Sequence, residues 1–155
     1  MGILKKLLAV AGIARAGSTR ATEPQVVVDA RKAAEWISRA LMSSGYKADF
    51  SVASLKEVDR FFDDQAPEGR PKADGLLSQD LGARLFSVGS YVGEVLRRRA
   101  GGAWRGDDND PEAEINIALV LPDGSVLWPV QRVMKRFELG PDESVFVYGT
   151  AVAKP

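Results

Sequence analysis

Residues 78–104, SQDLGARLFSVGSYVGEVLRRRAGGAW, are the part of the chain around which the other elements are arranged. With about 100° of rotation per residue, their apolar side chains fall on one broad face, which predicts a long helix that turns this face to the core. Ser78 or Asp80 can cap the amino end, and Gly101 with Gly102 ends the helix. The predicted core face consists of Leu81, Leu85, Val88, Tyr91, Val92, Val95 and Leu96.

The other side of this helix carries charge. Glu94 lies there with Arg97 and Arg98, and it stands four positions before Arg98, which is the favourable order for an ion pair on a helix surface. Gly89 and Gly93 are also four positions apart, and without side chains they allow another element to pack closely. We therefore predict a surface ion pair at Glu94 and a packing contact at the two glycines.

The composition of the chain limits its chemistry. Its 155 residues suffice for one domain, and 21 basic against 21 acidic residues leave no net charge to attract nucleic acid or acidic lipid. Cysteine and histidine are both absent, which excludes thiol nucleophiles, disulfides, thiolate metal sites and the commonest general base. We expect no catalytic residues, no metal ion and no other cofactor. An enzyme built on paired carboxylates is the remaining catalytic alternative.

Residues 1–17, MGILKKLLAVAGIARAG, allow three interpretations. They form a weak signal-like segment, although Gly12 breaks the apolar run and Arg15 lies inside the small-residue motif where cleavage would occur. As an amphipathic helix, residues 1–16 would lie on a membrane surface. As a terminal helix, the segment would dock on the domain. The membrane-contacting residues of the second interpretation are Ile3, Leu4, Lys5, Lys6, Leu7 and Leu8. We favour a cytoplasmic protein, with membrane association as the alternative and export less favoured.

A polar linker at residues 18–25 precedes a single domain at residues 26–155. Helical periodicity covers residues 24–44, and a short helix follows Ser54. Strand signals dominate the second half, at residues 103–105, 114–121, 125–128 and 144–152, with a helix that begins at Pro129. We predict an α+β fold: N-terminal helices packed on a small antiparallel sheet of about four strands, with one short helix inserted before the last strand.

The segment DDNDPEAE, residues 107–114, is rich in oxygen ligands of the kind that calcium prefers. It lacks the central glycine and the distal glutamate of an EF-hand loop. We therefore predict a solvated hairpin and no metal site.

Cations and tryptophans of the second half are candidates for binding a partner. Nucleic acid is an unfavoured ligand, because the acidic segment lies among these cations and the tryptophans are expected to anchor the sheet to the helices. An acidic protein surface fits the same cations. The predicted partner-binding residues, expected to cluster on one surface where helix and sheet meet, are Glu94, Arg97, Arg98, Trp104, Arg132, Lys135 and Arg136.

Several short motifs resemble uncharacterised bacterial domains of unknown function. They are a helix with Tyr91-x-Gly93-Glu94, a strand with Gly102-x-Trp104, the turn Leu121-Pro122-Asp123-Gly124 and a helix with Pro129-x-x-Arg132-Val133-x-Lys135-Arg136. The resemblance covers about residues 48–150. It implies a small α+β fold without assigned catalytic residues, and a protein partner in the manner of immunity- or secretion-associated proteins.

We therefore expect a noncatalytic protein-binding module of a bacterial protein, whose partner is unidentified. A peripheral membrane protein anchored by residues 1–16 is the alternative, and a carboxylate-based enzyme is the second alternative.

Overall fold

The computed structural model describes residues 22–154, so the predictions for residues 1–17 and for the first half of the linker, residues 18–21, lie outside the described residues. The described α-helices are α1 (Gln25–Ser43), α2 (Leu55–Gln65), α3 (Leu81–Ala100), the short α4 (Ala113–Asn116), α5 (Pro129–Leu139) and α6 (Val145–Val152). The strands β1 (Ala103–Arg105), β2 (Ala118–Val120) and β3 (Val126–Leu127) form an antiparallel sheet in the order β1-β2-β3. The predicted α+β fold is confirmed, although the sheet formed by residues 22–154 has three strands and not about four.

The long helix α3 lies at the centre of the molecule. Helices α1 and α5 pack along it, and α6 also contacts it. As a result every residue of α3 from Leu85 to Leu96 is buried, including the predicted core face apart from Leu81, which is partly exposed. The helix ends as predicted at Gly101 and Gly102, whose positive φ angles of 85° and 109° suit glycine.

The two glycines of α3 are packing contacts, as predicted. A Cβ atom on Gly89 would lie 2.6 Å from the Cα atom of Val130, so α5 approaches the backbone of α3 directly. A Cβ atom on Gly93 would overlap the indole of Trp104. The absence of both side chains fixes where α5 and Trp104 lie, and thereby positions the polar groups around them.

The predicted last strand at residues 144–152 is wrong, because this segment is helix α6. The Ser144 hydroxyl accepts a hydrogen bond from the Val147 amide at 3.1 Å. The carboxylate of Asp59, in α2, accepts bonds from the Val145 and Phe146 amides at 2.9 and 3.0 Å. These caps satisfy the amides at the first turn and override the strand preference of the β-branched residues. Helix α5 is consequently followed by a helix and not by a strand.

The strand predicted at residues 114–121 is shorter than expected. Only Ala118–Val120 is a strand, and Ala113–Asn116 forms the helical turn α4. Asp110 holds this turn, because its carboxylate accepts bonds from the Glu112 amide and the Asn116 side chain, both at 2.8 Å. The predicted turn at Pro122-Asp123-Gly124 is confirmed, with Gly124 at φ 89° joining β2 to β3.

Candidate functional site

The predicted partner-binding residues fall into three separate groups. Glu94, Arg97, Arg98 and Trp104 form one polar cluster on α3 and β1. Arg132 and Lys135 line a groove beside β3. Arg136 is buried against α2. The structure therefore does not bring the seven residues together on one surface.

The predicted surface position of Glu94 is wrong, because its side chain is only 5% exposed. Its carboxylate accepts hydrogen bonds from Arg97 Nε at 2.6 Å and from Trp104 Nε1 at 2.9 Å, and Arg98 Nε lies at 3.8 Å. Burial raises the pKa of the Glu94 carboxyl, but these hydrogen bonds and the charges of both arginines outweigh it, so the pKa lies below its usual value. Glu94 is a saturated structural carboxylate.

The arginines around Glu94 are also engaged. Arg98 pairs with the Glu35 carboxylate of α1 at 2.9 Å, and its guanidinium carbon lies 3.7 Å from the ring centre of Phe50. Arg97 gives two hydrogen bonds to Glu94. This cluster joins α3, α1 and β1, and its charges compensate one another. It has little left to offer a partner.

Arg136 is likewise occupied inside the molecule, since its side chain is 3% exposed. Its Nε donates to Asp59 at 3.0 Å, and its Nη2 donates to Asp63 at 2.6 Å. Because Asp59 also caps α6, these contacts tie α2, α5 and α6 together. Arg136 is therefore inaccessible to a partner, and its predicted role as a contact residue is wrong.

A groove of about 300 Å³ lies between the edge strand β3, the first turns of α5 and helix α6. Trp128, placed immediately before Pro129 starts α5, is 44% exposed there, so its predicted role as a buried anchor of the sheet is wrong. The groove is lined by Val126, Leu127, Trp128, Gln131, Arg132, Lys135 and Tyr148. A half-exposed tryptophan in an open groove is typical of a binding surface.

The polar groups of the groove are mainly donors. Lys135 is exposed and forms no ion pair with any residue in the described range. Arg132 Nη1 pairs with Glu143 at 3.0 Å, and its guanidinium lies 4.7 Å from the ring centre of Tyr148, while its Nε has no partner among the described residues. Burial raises the pKa of the Tyr148 hydroxyl more than the Arg132 charge lowers it, so the hydroxyl stays protonated.

The acidic segment borders a second hollow, of about 310 Å³. Asp107 and Asp110 line it, and Asp108 instead caps α1 by accepting bonds from the Gln25 and Val26 amides at 2.7 and 2.9 Å. Within residues 22–154, no cluster of three or more acidic side chains has the geometry to hold a metal ion. The loop joins antiparallel strands, but α4 interrupts it, so it is not the simple hairpin that the sequence predicts.

Sequence reasoning missed Asp59 and Tyr148. Asp59 acts on residues more than 80 positions away, so no local pattern identifies it. The sequence places Tyr148 in a last strand, which conceals its position beside Arg132. The apolar, β-branched residues around Tyr148 favour a strand, so no local signal in the sequence places it.

Comparison with protein-family models, with curated proteins and with solved structures finds no match to this chain. The resemblance to uncharacterised bacterial domains therefore stays a prediction. In the range that the structure describes, none of the helices combines the length and the apolar character needed to cross a bilayer.

Proposed function

We propose that this protein is a noncatalytic protein-binding module whose binding site is the groove formed by β3, α5 and α6. The supporting observation is that the exposed Trp128 and the unpaired Lys135 line the same open groove in the described part of the chain. An aromatic side chain supplies apolar contact area, and an unpaired cation beside it selects the ligand by charge. Both groups stand on backbone that the packing of α5 against α3 holds in place.

The ligand that fits this groove is an acidic segment of another protein. Arg132 and Lys135 provide two positive charges, and Glu143, paired with Arg132, offsets one of them. A partner carboxylate near Lys135 would form an ion pair, while an apolar side chain next to it would pack on Trp128. The edge of β3 that is not paired with β2 also offers backbone groups to an extended segment.

The noncatalytic part of the proposal rests on the side chains of the groove. None of the described residues that line the groove is an Asp or a Glu, and Glu143 beside it is held by Arg132, whereas carboxylate-based hydrolysis needs a pair of carboxyl groups about 5 to 10 Å apart across a substrate. A bacterial, cytoplasmic protein with an immunity- or secretion-associated partner agrees with the motif resemblance, and we propose it on that basis.

Fluorescence anisotropy with labelled decapeptides tests the groove. We expect a peptide that contains Glu or Asp beside Phe or Leu to bind. The same peptide with Lys in place of the acidic residue should not bind. Lys135→Glu and Trp128→Ala should each weaken binding at least about tenfold, because both groups lie at the centre of the contact. Lys32→Glu, an equal charge change at an exposed position of α1, is the control and should bind as the wild type does. Binding of single-stranded RNA without peptide binding would replace the protein ligand by a nucleic acid.

A second candidate function, attachment to a membrane surface, is favoured by charge asymmetry. Residues 1–22 contain Lys5, Lys6, Arg15 and Arg20 and no acidic residue, although the whole chain has no net charge. Polybasic segments of this kind attract anionic lipid. The full-length protein should float with vesicles that contain phosphatidylserine, and the double variant Lys5→Glu, Lys6→Glu should remain at the bottom of the gradient. Equal flotation of both proteins would contradict this candidate function.

A further inference from the structure

We propose that the groove face also pairs with a second copy of this chain, as a two-fold dimer in which each acidic hollow meets the basic groove of the other copy. The dimer rests on the proposed function because it uses the same groove. It names one occupant of that groove, a second copy of the chain. It also implies regulation, because the dimer would cover the groove until another partner competes for it.

The basic groove and the acidic hollow are neighbours on the molecule. Gln131 lines the groove, Asn116 lines the hollow, and Gln131 Nε2 donates a hydrogen bond to Asn116 Oδ1 at 3.1 Å. Trp128 directly follows Leu127, which pairs with Leu119 of β2, and the residue before Leu119, Ala118, lines the hollow. Trp128 therefore stands at the border between the two.

The two sides of this border carry opposite charges that are not neutralised. On the hollow side, Asp107 and Asp110 form no ion pair with residues of the described range, and Arg105 is the cation that lines the hollow with them. On the groove side, Lys135 forms no ion pair with any of residues 22–154. The face thus contains both members of a complementary pair.

A surface with adjacent positive and negative halves is complementary to itself after a rotation by 180°. In such an isologous contact, the Lys135 side of each copy faces the Asp107 side of the other, and the two Trp128 side chains approach the axis. A different partner would have to supply the matching charges, whereas a second copy already contains both of them. This is why the geometry points to a copy of the same chain.

Sedimentation velocity on the full-length protein, from about 1 µM to about 1 mM, tests the dimer across the range of weak to moderate affinities. We expect reversible dimerisation that weakens as salt is added, because the contact is electrostatic. Lys135→Glu and Asp107→Lys should each weaken it at least about tenfold, since the symmetry makes every substitution count twice. Lys32→Glu is again the control.

Mixing the Lys135→Glu and Asp107→Lys proteins gives the sharpest result. In a mixed dimer, the carboxylate introduced at position 135 of one copy faces the ammonium group introduced at position 107 of the other. The second contact is the unaltered pair, so dimerisation should return to the wild-type strength. A monomer at every concentration, or single variants that dimerise as the wild type does, would overturn the inference.

The dimer and the proposed function can fail separately. Acidic-peptide binding by a strictly monomeric protein would overturn the dimer and leave the proposed function standing. A salt-sensitive dimer that binds no peptide would support the dimer and remove the proposed function.

Discussion

Lys135 and Arg136 are neighbours in α5, yet their side chains have opposite surroundings. Arg136 is buried and held by the carboxylates of Asp59 and Asp63, whereas Lys135 is exposed in a groove and forms no ion pair in the described part of the chain. A buried charge must be compensated inside the molecule, because desolvation without a partner costs several kcal/mol. An exposed charge has no such requirement and remains available to a partner.

The same contrast separates the Glu94 cluster from the groove around Trp128. In the cluster, carboxylate, guanidinium and indole groups satisfy one another. In the groove, the donors outnumber the acceptors and the aromatic side chain is half exposed. The comparison assigns structural roles to the first region and a binding role to the second, and substitutions in the two regions should have different consequences.

The largest effect on stability should come from Asp59→Asn. A neutral amide cannot compensate the charge of Arg136. Its NH₂ group is a hydrogen-bond donor, and it would face the Arg136 guanidinium or backbone amides, which are donors too. We expect a loss of about 3 to 5 kcal/mol in the free energy of unfolding, the usual result of removing one partner of a buried ion pair. Urea denaturation followed by circular dichroism measures it.

The matched control is Asp63→Asn, which removes a carboxylate from the same arginine. Asp63 is 54% exposed, so solvent can replace it, and the loss should stay below about 1 kcal/mol. Equal losses of unfolding free energy at Asp59 and Asp63 would show that burial of the carboxylate does not determine the cost of removing it. The contrast between buried and exposed charges would then be wrong.

A smaller effect is expected from Glu94→Gln. The new side chain can still accept the Trp104 hydrogen bond, but the charge opposite Arg97 and Arg98 is lost, which should cost about 2 kcal/mol. Glu35→Gln removes the other, 53% exposed, carboxylate of Arg98 and should cost less than about 0.5 kcal/mol. If Glu35 proves the more costly position, Glu94 is not the structural centre of this cluster.

The sequence predicts the central helix well, because the apolar period of α3 is long and the glycines that end it are unambiguous. It does not predict that Glu94 is buried. A periodic pattern shows which face is more apolar, but not whether other elements also cover the polar face, as the packing of α1, α5 and Trp104 does here. Helix α6 was missed for a related reason, since its cap comes from Asp59, far away in the sequence.

Acid should destabilise the fold through Glu57, a carboxylate of α2 that forms an ion pair with Arg60. The hydrogen bonds from Arg60 and from the Lys47 amide lower the pKa of Glu57 to about 2. Because the folded pKa lies below the unfolded one, the stabilisation is complete above pH about 4.5 and is lost as the pH falls towards about 2. The free energy of unfolding should fall across this window, and Glu57→Gln should make the decline shallower. An unchanged slope in that variant would show that other carboxylates account for the acid sensitivity.

The sequence also predicts part of the candidate site. Arg132 and Lys135 follow from the polar face of a helix that starts at Pro129. The groove around them could not be predicted, because one of its walls, Tyr148, belongs to a segment whose residues favour a strand by propensity. The site depends on α6 being helical, and that in turn depends on a long-range cap.

The smallest effect on stability, and the one that most directly tests the contrast, is expected in the groove itself. Trp128→Ala and Lys135→Glu remove side chains that make no hydrogen bond or ion pair with described residues, so each should change the free energy of unfolding by less than about 1 kcal/mol. Both should nevertheless abolish most of the acidic-peptide binding. Asp63→Asn should show the reverse, with binding retained. If the groove variants unfold the protein, Trp128 and Lys135 are structural residues. The distinction between charges that are paired inside the molecule and charges that are available to a partner would then be wrong for the groove.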